Sequence, residues 1–180
     1  MQHKPSRQIK AILGLGNPGS LYQKTRHNIG HLFVDFLTNG YFDKEKLFFY
    51  KKISKDAKSV FIIAKTNVFM NKSGRAFLEL KKKFSLKDNE ILIAHDDSDI
   101  IFGKFKISYK AGSAGHKGIE SILSATKKNN LWRLRFGIRP KILTGTNWQK
   151  AENFVLKNFS KKEEENLNRI FQQAKEKVFL

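Results

Sequence analysis

Short apolar runs alternate along this chain with stretches whose apolar residues recur every three or four positions, and this alternation restricts the fold more than any other feature. The runs at residues 9–15, 48–53, 59–65, 90–95, 105–109 and 132–138 are typical of strands. Helical spacing occurs at residues 30–38, from Ser73 onward, around Ile119 and Ile122, and at 148–156 and 161–177. The acidic stretch 96–99 is interpreted as a turn after the fourth strand.

Strands that alternate with helices pack as a sheet covered on both faces. The sequence therefore predicts an α/β fold, a three-layer α/β/α sandwich with a mixed, largely parallel central sheet. A length of 180 residues fits one domain, residues 1–180, and the hydrophobic fraction of 40% is enough for a substantial core. Loops at the carboxyl ends of the strands are the expected location of a site.

Positive charge is the dominant compositional property. Lys and Arg number 35 against 16 Asp and Glu, which gives a formal net charge of +19. Such an excess attracts polyanions because binding to phosphates releases counterions, so nucleic acid is the favoured partner. The alternative is a lysine-rich surface that is simply solvated.

Several classes of protein are disfavoured by the composition. No apolar stretch approaches the roughly 20 residues that span a bilayer, and the basic segment 1–10 lacks the apolar part of a signal peptide. The chain has no cysteine, which excludes disulfides, thiolate metal ligands and a cysteine nucleophile. We expect a cytoplasmic protein without membrane association, and nothing such as a heptad pattern indicates assembly beyond a monomer.

Residues 14–19, GLGNPG, match the pattern G-x-G-x-x-G of dinucleotide-binding loops, and Asp35 follows about 20 residues later as that pattern requires. However, Pro18 removes a backbone N–H from the phosphate-binding loop, and Asp35 lies inside a helical pattern instead of at the end of a second strand. A dinucleotide-dependent enzyme therefore remains an alternative that these two residues disfavour.

A second motif, residues 25–30 (TRHNIG), places a histidine among hydrogen-bonding side chains just before a helix. Histidine exchanges protons near neutral pH, so His27 is a candidate general base. The sequence alone equally allows His27 to cap the helix or to pack beside Tyr22.

Six ordered blocks together resemble the bacterial peptidyl-tRNA hydrolase family: residues 15–19 (LGNPG) with Tyr22, 25–30 (TRHNIG), 69–74 (FMNKSG), 91–97 (ILIAHDD), 112–118 (GSAGHKG) and 133–138 (RLRFGI). The resemblance covers nearly the whole chain, and several blocks in order are far more specific than one glycine motif. It implies an enzyme that hydrolyses the ester between peptide and tRNA in peptidyl-tRNA, recycling tRNA released prematurely from ribosomes, without metal or organic cofactor.

The resemblance also implies roles for particular residues. His27 matches the catalytic base and Asp96 the carboxylate that orients it. The substrate-binding positions are Asn17, Tyr22, Phe69, Asn71 and Lys117, and the positions for binding tRNA phosphates are Lys106, Lys110 and Arg135. Lys117 departs from the family, which has an asparagine there; we expect it to line the cleft and make an electrostatic contact.

Three alternatives to hydrolysis stay open from the residues themselves. A noncatalytic RNA-binding module would use the same basic surface, and a dinucleotide-dependent enzyme would use the first glycine motif. A metalloenzyme would need histidines at ligand spacing, but His3, His27, His31, His95 and His116 show no compact motif such as H-E-x-x-H.

Overall fold

A mixed sheet forms the centre of the computed structural model, which describes residues 8–54 and 60–179. Within these residues the strands are β1 (Ala11–Gly14), β2 (Asp43–Lys44), β3 (Phe48–Ser54), β4 (Val60–Thr66), β5 (Ile91–Ile101), β6 (Phe105–Tyr109) and β7 (Trp132–Arg139). Their order is β2-β3-β4-β1-β5-β7-β6. The four central strands, β4, β1, β5 and β7, are parallel, and the strands at both edges pair antiparallel. The predicted strand start at Ser59 lies outside the described residues.

Helices cover both faces of the sheet: α1 (Ile29–Thr38), α2 (Ser73–Lys83), α3 (Lys117–Thr126) and α4 (Lys161–Phe179). The apolar stripes of α1 and α4 pack with one face, where the rings of Phe33, Phe136 and Phe171 lie 5.0–5.6 Å apart. The stripes of α2 and α3 pack with the other face through residues such as Phe77 and Ile119. The predicted three-layer α/β/α sandwich is confirmed, with the parallel part in the four central strands. No helix in the described ranges is long and apolar enough to cross a membrane.

Close contact between α1 and the sheet explains the first glycine motif. A Cβ on Gly14 would lie 2.3 Å from the carbonyl oxygen of Gly30, and a Cβ on Gly30 would lie 2.3 Å from that of Ala94. A Cβ on Gly16 would meet the ring of His31 at 2.6 Å. These glycines therefore allow the helix to approach β1 and β5. This packing, together with the positive φ of 100° at Gly19, accounts for the three glycines of the motif without a dinucleotide.

The acidic stretch 96–99 is not a turn, so that prediction is wrong. It continues β5, in which Asp96 pairs with Phe136 and Asp97 with Gly137 of β7. The carboxylates are accommodated because each has a partner: Asp96 contacts two histidines, and Asp97 accepts a hydrogen bond from Arg135 at 2.6 Å.

The helix predicted at 148–156 is also wrong, since only a short 3-10 turn at Ala151–Asn153 forms there. Within this segment only single-turn bonds form, such as that from the Phe154 N–H to the Ala151 carbonyl, and other groups bond to distant parts of the chain. The carbonyl of Val155 accepts from the backbone N–H of His27, and the carbonyl of Gln149 accepts from Arg139. Apolar spacing predicted a helix because the sequence pattern does not report these long-range partners.

Candidate active site

A cavity of about 370 Å³ opens at the carboxyl ends of the central strands. On one side it is lined by His27, which follows β1, by Asp96 in β5 and by His116, which precedes α3. Trp148 and Lys150, from the segment between β7 and α4, line the other side. Three of the sequence motifs therefore meet in one cleft, as the strand-end argument predicted.

His27 and Asp96 are in direct contact inside this cleft. Nδ1 of His27 lies 2.8 Å from Oδ1 of Asp96. A carboxylate oxygen only accepts, so Nδ1 carries the hydrogen and Nε2 is left with a lone pair. No group in residues 8–54 or 60–179 hydrogen-bonds that Nε2. The pair has the arrangement of a general base and its orienting carboxylate.

The contact between His27 and Asp96 shifts the pKa values of both residues. Burial lowers the pKa of His27, but attraction to Asp96 and the hydrogen bond between them outweigh it and raise the pKa above 6.5. Burial likewise would raise the pKa of Asp96, yet the imidazoles of His27 and His116 hold that pKa well below its usual range. Asp96 therefore stays ionised, and His27 is a stronger base than a free imidazole.

His116 was absent from the predicted site residues, yet it contacts Asp96 as closely as His27 does. Its Nε2 lies 2.7 Å from Oδ1, the oxygen that also contacts His27. The rings of His27 and His116 have centroids 5.0 Å apart. His95 packs edge-on against His116 at 4.7 Å, and burial, followed by the proximity of His116, lowers the pKa of His95 well below 6.5. The sequence signal for His116 was the block 112–118, in which it directly precedes Lys117.

The turn that carries His27, Arg26–Asn28, is held from outside by the segment before α4. Backbone N–H groups of Arg26 and His27 donate to the carbonyls of Lys157 and Val155 at 3.0 and 2.8 Å. The Arg26 guanidinium forms two hydrogen bonds with the Glu163 carboxylate at 2.9 and 2.7 Å. Both side chains of this pair are largely buried, so the turn is fixed before any substrate arrives.

Arg139 builds the wall opposite the base. Its side chain is buried and donates to the carbonyls of Ser98, Leu143 and Gln149, which ties the end of β5 to the segment after β7. Its guanidinium lies 5.2 Å from the centre of the Trp148 ring, which is 58% exposed. An exposed aromatic ring supported by a cation thus borders the cleft, and sequence reasoning did not select either residue.

Comparison with known proteins agrees with this geometry. The family model described as peptidyl-tRNA hydrolase matches residues 11–180. The chain belongs to the peptidyl-tRNA hydrolase family. The peptidyl-tRNA hydrolase of Thermotoga maritima is 38% identical over 165 residues, covering 92% of this chain and 86% of the relative. That of Aquifex aeolicus is 36% identical over 171 residues, covering 92% and 86%.

A solved structure leads to the same family. The crystal structure of peptidyl-tRNA hydrolase from Acinetobacter baumannii superposes with a TM-score of 0.82 at 27% sequence identity, covering 99% of this chain and 89% of that one. The resemblance to the peptidyl-tRNA hydrolase family inferred from the six sequence blocks is therefore confirmed.

Asn17, predicted from the peptidyl-tRNA hydrolase family to bind substrate through its amide, lies at the bend after β1. One of the two polar atoms of its side chain is hydrogen-bonded within the protein. Its Oδ1 accepts from the backbone N–H of Met70 at 2.8 Å, and its backbone exchanges two hydrogen bonds with the side chain of Asn28. Asn28, which the sequence analysis did not select, therefore fixes this loop. In the part of the chain that the structure describes, the side-chain amide nitrogen of Asn17 has no hydrogen-bond partner.

Tyr22 and Phe69 lie together, with ring centroids 6.2 Å apart and planes at 89°. Phe69 is 52% exposed, so core packing does not account for it. Asn71 is exposed in the turn Met70–Lys72 that follows. The two rings and this amide occupy the loops after β1 and β4, beside the bend at Asn17.

The basic residues predicted to bind phosphate differ in exposure and in the partners that their side chains already have. Lys106 and Lys110 are exposed at β6, whereas Arg135 on the adjacent β7 donates to the Asp97 carboxylate at 2.6 Å. Lys117 borders the cleft, but its Nζ lies 3.3 Å from Glu120 on the helix surface and its side chain is 71% exposed.

Three side chains of the cleft are close enough to be considered for a shared cation. Single ligand atoms of His27, Asp96 and His116 lie within 4.8 Å of one another. However, the same carboxylate oxygen already accepts from both imidazoles at 2.7–2.8 Å, so the donor set forms a closed hydrogen-bond network. This arrangement fits proton transfer better than metal binding.

Proposed function

We propose that this protein hydrolyses the ester bond between the peptide and the tRNA in peptidyl-tRNA and so recycles tRNA for translation. The observation that carries the proposal is the contact between His27 Nδ1 and Asp96, which leaves Nε2 free at the floor of a cleft. Membership of the peptidyl-tRNA hydrolase family supplies the substrate class. The net charge of +19 suits an RNA substrate.

In the proposed reaction, Nε2 of His27 takes a proton from a water molecule as that water attacks the ester carbonyl. The imidazolium that forms is stabilised by the ionised Asp96, which also keeps the ring in the tautomer that can accept. The proton then passes to the leaving ribose oxygen, which yields free peptide and tRNA. Neither a metal ion nor an organic cofactor takes part, and no acyl-enzyme forms.

Substrate contacts are assigned from the positions that the resemblance to the family implies. The amide of Asn17, the amide of Asn71 and the ammonium of Lys117 would bind the peptide or the ester oxygen, where negative charge develops. Tyr22 and Phe69 would stack on bases of the tRNA terminus, because such stacking tolerates any base.

Phosphates farther along the tRNA would bind to Lys106, Lys110 and Arg135. Arg135 would exchange part of its contact with Asp97 for a phosphate oxygen, whereas the two lysines are already exposed. We further propose that the chain works as a monomeric, single-domain enzyme in the cytoplasm.

The deciding experiment compares hydrolysis of N-blocked and free aminoacyl-tRNA by the parent protein and by His27→Ala. We expect cleavage of the blocked ester only, and a loss of about 10²–10⁴-fold in the variant with tRNA binding retained. His31→Ala is the matched control, since His31 is a buried histidine of α1 that bonds Thr66 outside the cleft. Binding of tRNA without any turnover by the parent would instead identify a noncatalytic RNA-binding module.

A further inference from the structure

Both nitrogens of the His116 ring have fixed hydrogen-bonding roles. Nδ1 accepts from the backbone N–H groups of Gly118 and Ile119 at 3.1 and 3.3 Å, so His116 is the N-cap of α3. A nitrogen that accepts from two N–H groups has no place for a hydrogen of its own. The hydrogen must therefore sit on Nε2, which points at Asp96 from 2.7 Å.

The start of helix α3 thus determines what His116 does in the cleft. Moving the hydrogen to Nδ1, or adding a second one there, would break both capping contacts and leave two N–H groups at the helix start without their acceptor. His95 supports the same ring orientation: its Nδ1 lies 2.7 Å from the carbonyl oxygen of Asp96, and its ring packs edge-on against His116. His116 is therefore a fixed donor to Asp96.

Two donors share one carboxylate oxygen. Oδ1 of Asp96 accepts from His27 at 2.8 Å and from His116 at 2.7 Å. A hydrogen bond to a carboxylate withdraws charge from it, so a second donor weakens the attraction that the first one feels. The donation by His116 therefore limits how strongly Asp96 stabilises protonated His27.

We propose that His116 is a positioning residue that, through its capped ring, shares Asp96 with His27 and thereby sets the pH range in which His27 acts as a base. This inference rests on the proposed hydrolysis only for its kinetic consequence. The ring tautomer and the titration of His27 are properties of the folded protein and can be measured without substrate.

Other charged groups surround His27 and Asp96, and they are unchanged when His116 alone is replaced. The cleft is also lined by His95, Asp97, Asp99, Lys117, Arg139, Lys150 and Glu152. Asp97 is paired with Arg135, and Lys117 with Glu120. His116 is distinguished from all of them because it touches the same oxygen as the base.

Cation binding by His27, Asp96 and His116 would require the other tautomer of His116. A cation on Nε2 would displace its hydrogen, and a neutral ring would then carry the hydrogen on Nδ1, where the two N–H groups of α3 point. Cation binding would thus cost the helix its cap. The tautomer is therefore the observable that separates the proposed network from a cation site.

Two variants distinguish the hydrogen bond that His116 donates to Asp96 from its role as the N-cap of α3. In His116→Asn the side-chain oxygen can still cap α3, because asparagine is among the best N-cap residues, but the donor to Asp96 is lost. His116→Ala removes both. Thr126→Val, at the other end of α3, is the control, since it removes hydrogen bonds to Ile122 and Leu123 without reaching the cleft.

The measurements are the ring nitrogen signals of His116 and the titration of His27, both by NMR, and then the pH dependence of kcat/KM. We expect a hydrogen on Nε2 of His116 in the parent. We expect the pKa of His27 to rise by about half a unit to one unit in both His116 variants, and the acidic limb of kcat/KM to move to higher pH by the same amount. Thr126→Val should leave both midpoints where they are in the parent.

Three results would overturn the inference: a hydrogen on Nδ1 of His116, an unchanged His27 titration in His116→Asn, or equal shifts in His116→Ala and Thr126→Val. If His27 titrates as expected but no peptidyl-tRNA is cleaved, the network stands and the proposed hydrolysis fails. If hydrolysis is present but the His27 titration does not move, the proposed function stands and the role of His116 fails.

Discussion

Replacing Asp96 by asparagine tests how much of the activity depends on one negative charge. The amide oxygen can still accept from His27, so the geometry at 2.8 Å is kept while the charge is removed. A unit charge at that distance contributes about 6 kcal/mol at an effective dielectric constant of about 20. If roughly half of the imidazolium charge has formed in the transition state, about 3 kcal/mol is lost, or roughly 100-fold in kcat.

The assay is steady-state hydrolysis of an N-blocked aminoacyl-tRNA as a function of pH. We expect kcat of Asp96→Asn to fall by about two orders of magnitude while KM changes little, because Asp96 contacts His27 and not the substrate. The acidic limb of kcat/KM should lie above pH 6.5 in the parent, since His27 acts unprotonated and its pKa is raised. It should move to lower pH in the variant, because burial then acts without the opposing carboxylate.

The control for this prediction is Asp88→Asn. Asp88 is also a buried carboxylate, with an ion pair to Lys81 at 2.6 Å, but it precedes β5 and so lies at the amino ends of the parallel strands, away from the cleft. This control should lose stability and keep kcat. A kcat of Asp96→Asn within about threefold of the parent would refute electrostatic support of the base by Asp96.

Three further predictions concern stability and RNA binding. Arg26→Ala removes the guanidinium from the largely buried Glu163 carboxylate, which keeps only its hydrogen bonds from Ser160, so the free energy of unfolding in denaturant should fall by about 3 kcal/mol, and a fall below about 1 kcal/mol would contradict the structure. Gly30→Ala places a Cβ 2.3 Å from the Ala94 carbonyl oxygen, so thermal melting should show a loss of about 3 kcal/mol or more, or no folded protein; a parent-like melting temperature would argue against this packing. Arg135→Gln should lower the slope of log affinity for tRNA against log salt by about one, and an unchanged slope would exclude a phosphate contact.

Local sequence patterns predicted the elements whose stability is local. β6 was predicted with the bounds that it has, and α1 starts one residue before the predicted position, because alternation and helical spacing reflect burial of the element itself. The predicted turn at 96–99 failed for the opposite reason. A run of acidic residues is typical of a solvated turn. Here the fold brings residues 27, 116 and 135 next to the carboxylates of β5, and the sequence around residues 96–99 does not show these partners.

Within the candidate site, sequence blocks located the pair His27 and Asp96, and the contact between them agrees with that interpretation. His116 was missed because its role depends on two simultaneous contacts, one with the start of α3 and one with β5. Neither contact is visible in a loop rich in small residues. Trp148 was assigned to a helix, which concealed that its ring is exposed beside the cleft.

The backbone bonds from residues 26 and 27 to the carbonyls of residues 157 and 155 have a consequence for synthesis of the chain. An early segment, which carries the base, obtains its partners from a segment made about 130 residues later, as the positions in the sequence show. A nascent chain still lacking that later segment has the histidine but not the two carbonyl acceptors that hold its turn from outside. The ribosome therefore has to translate past Glu163, which binds Arg26, before all the contacts that hold the His27 turn can form.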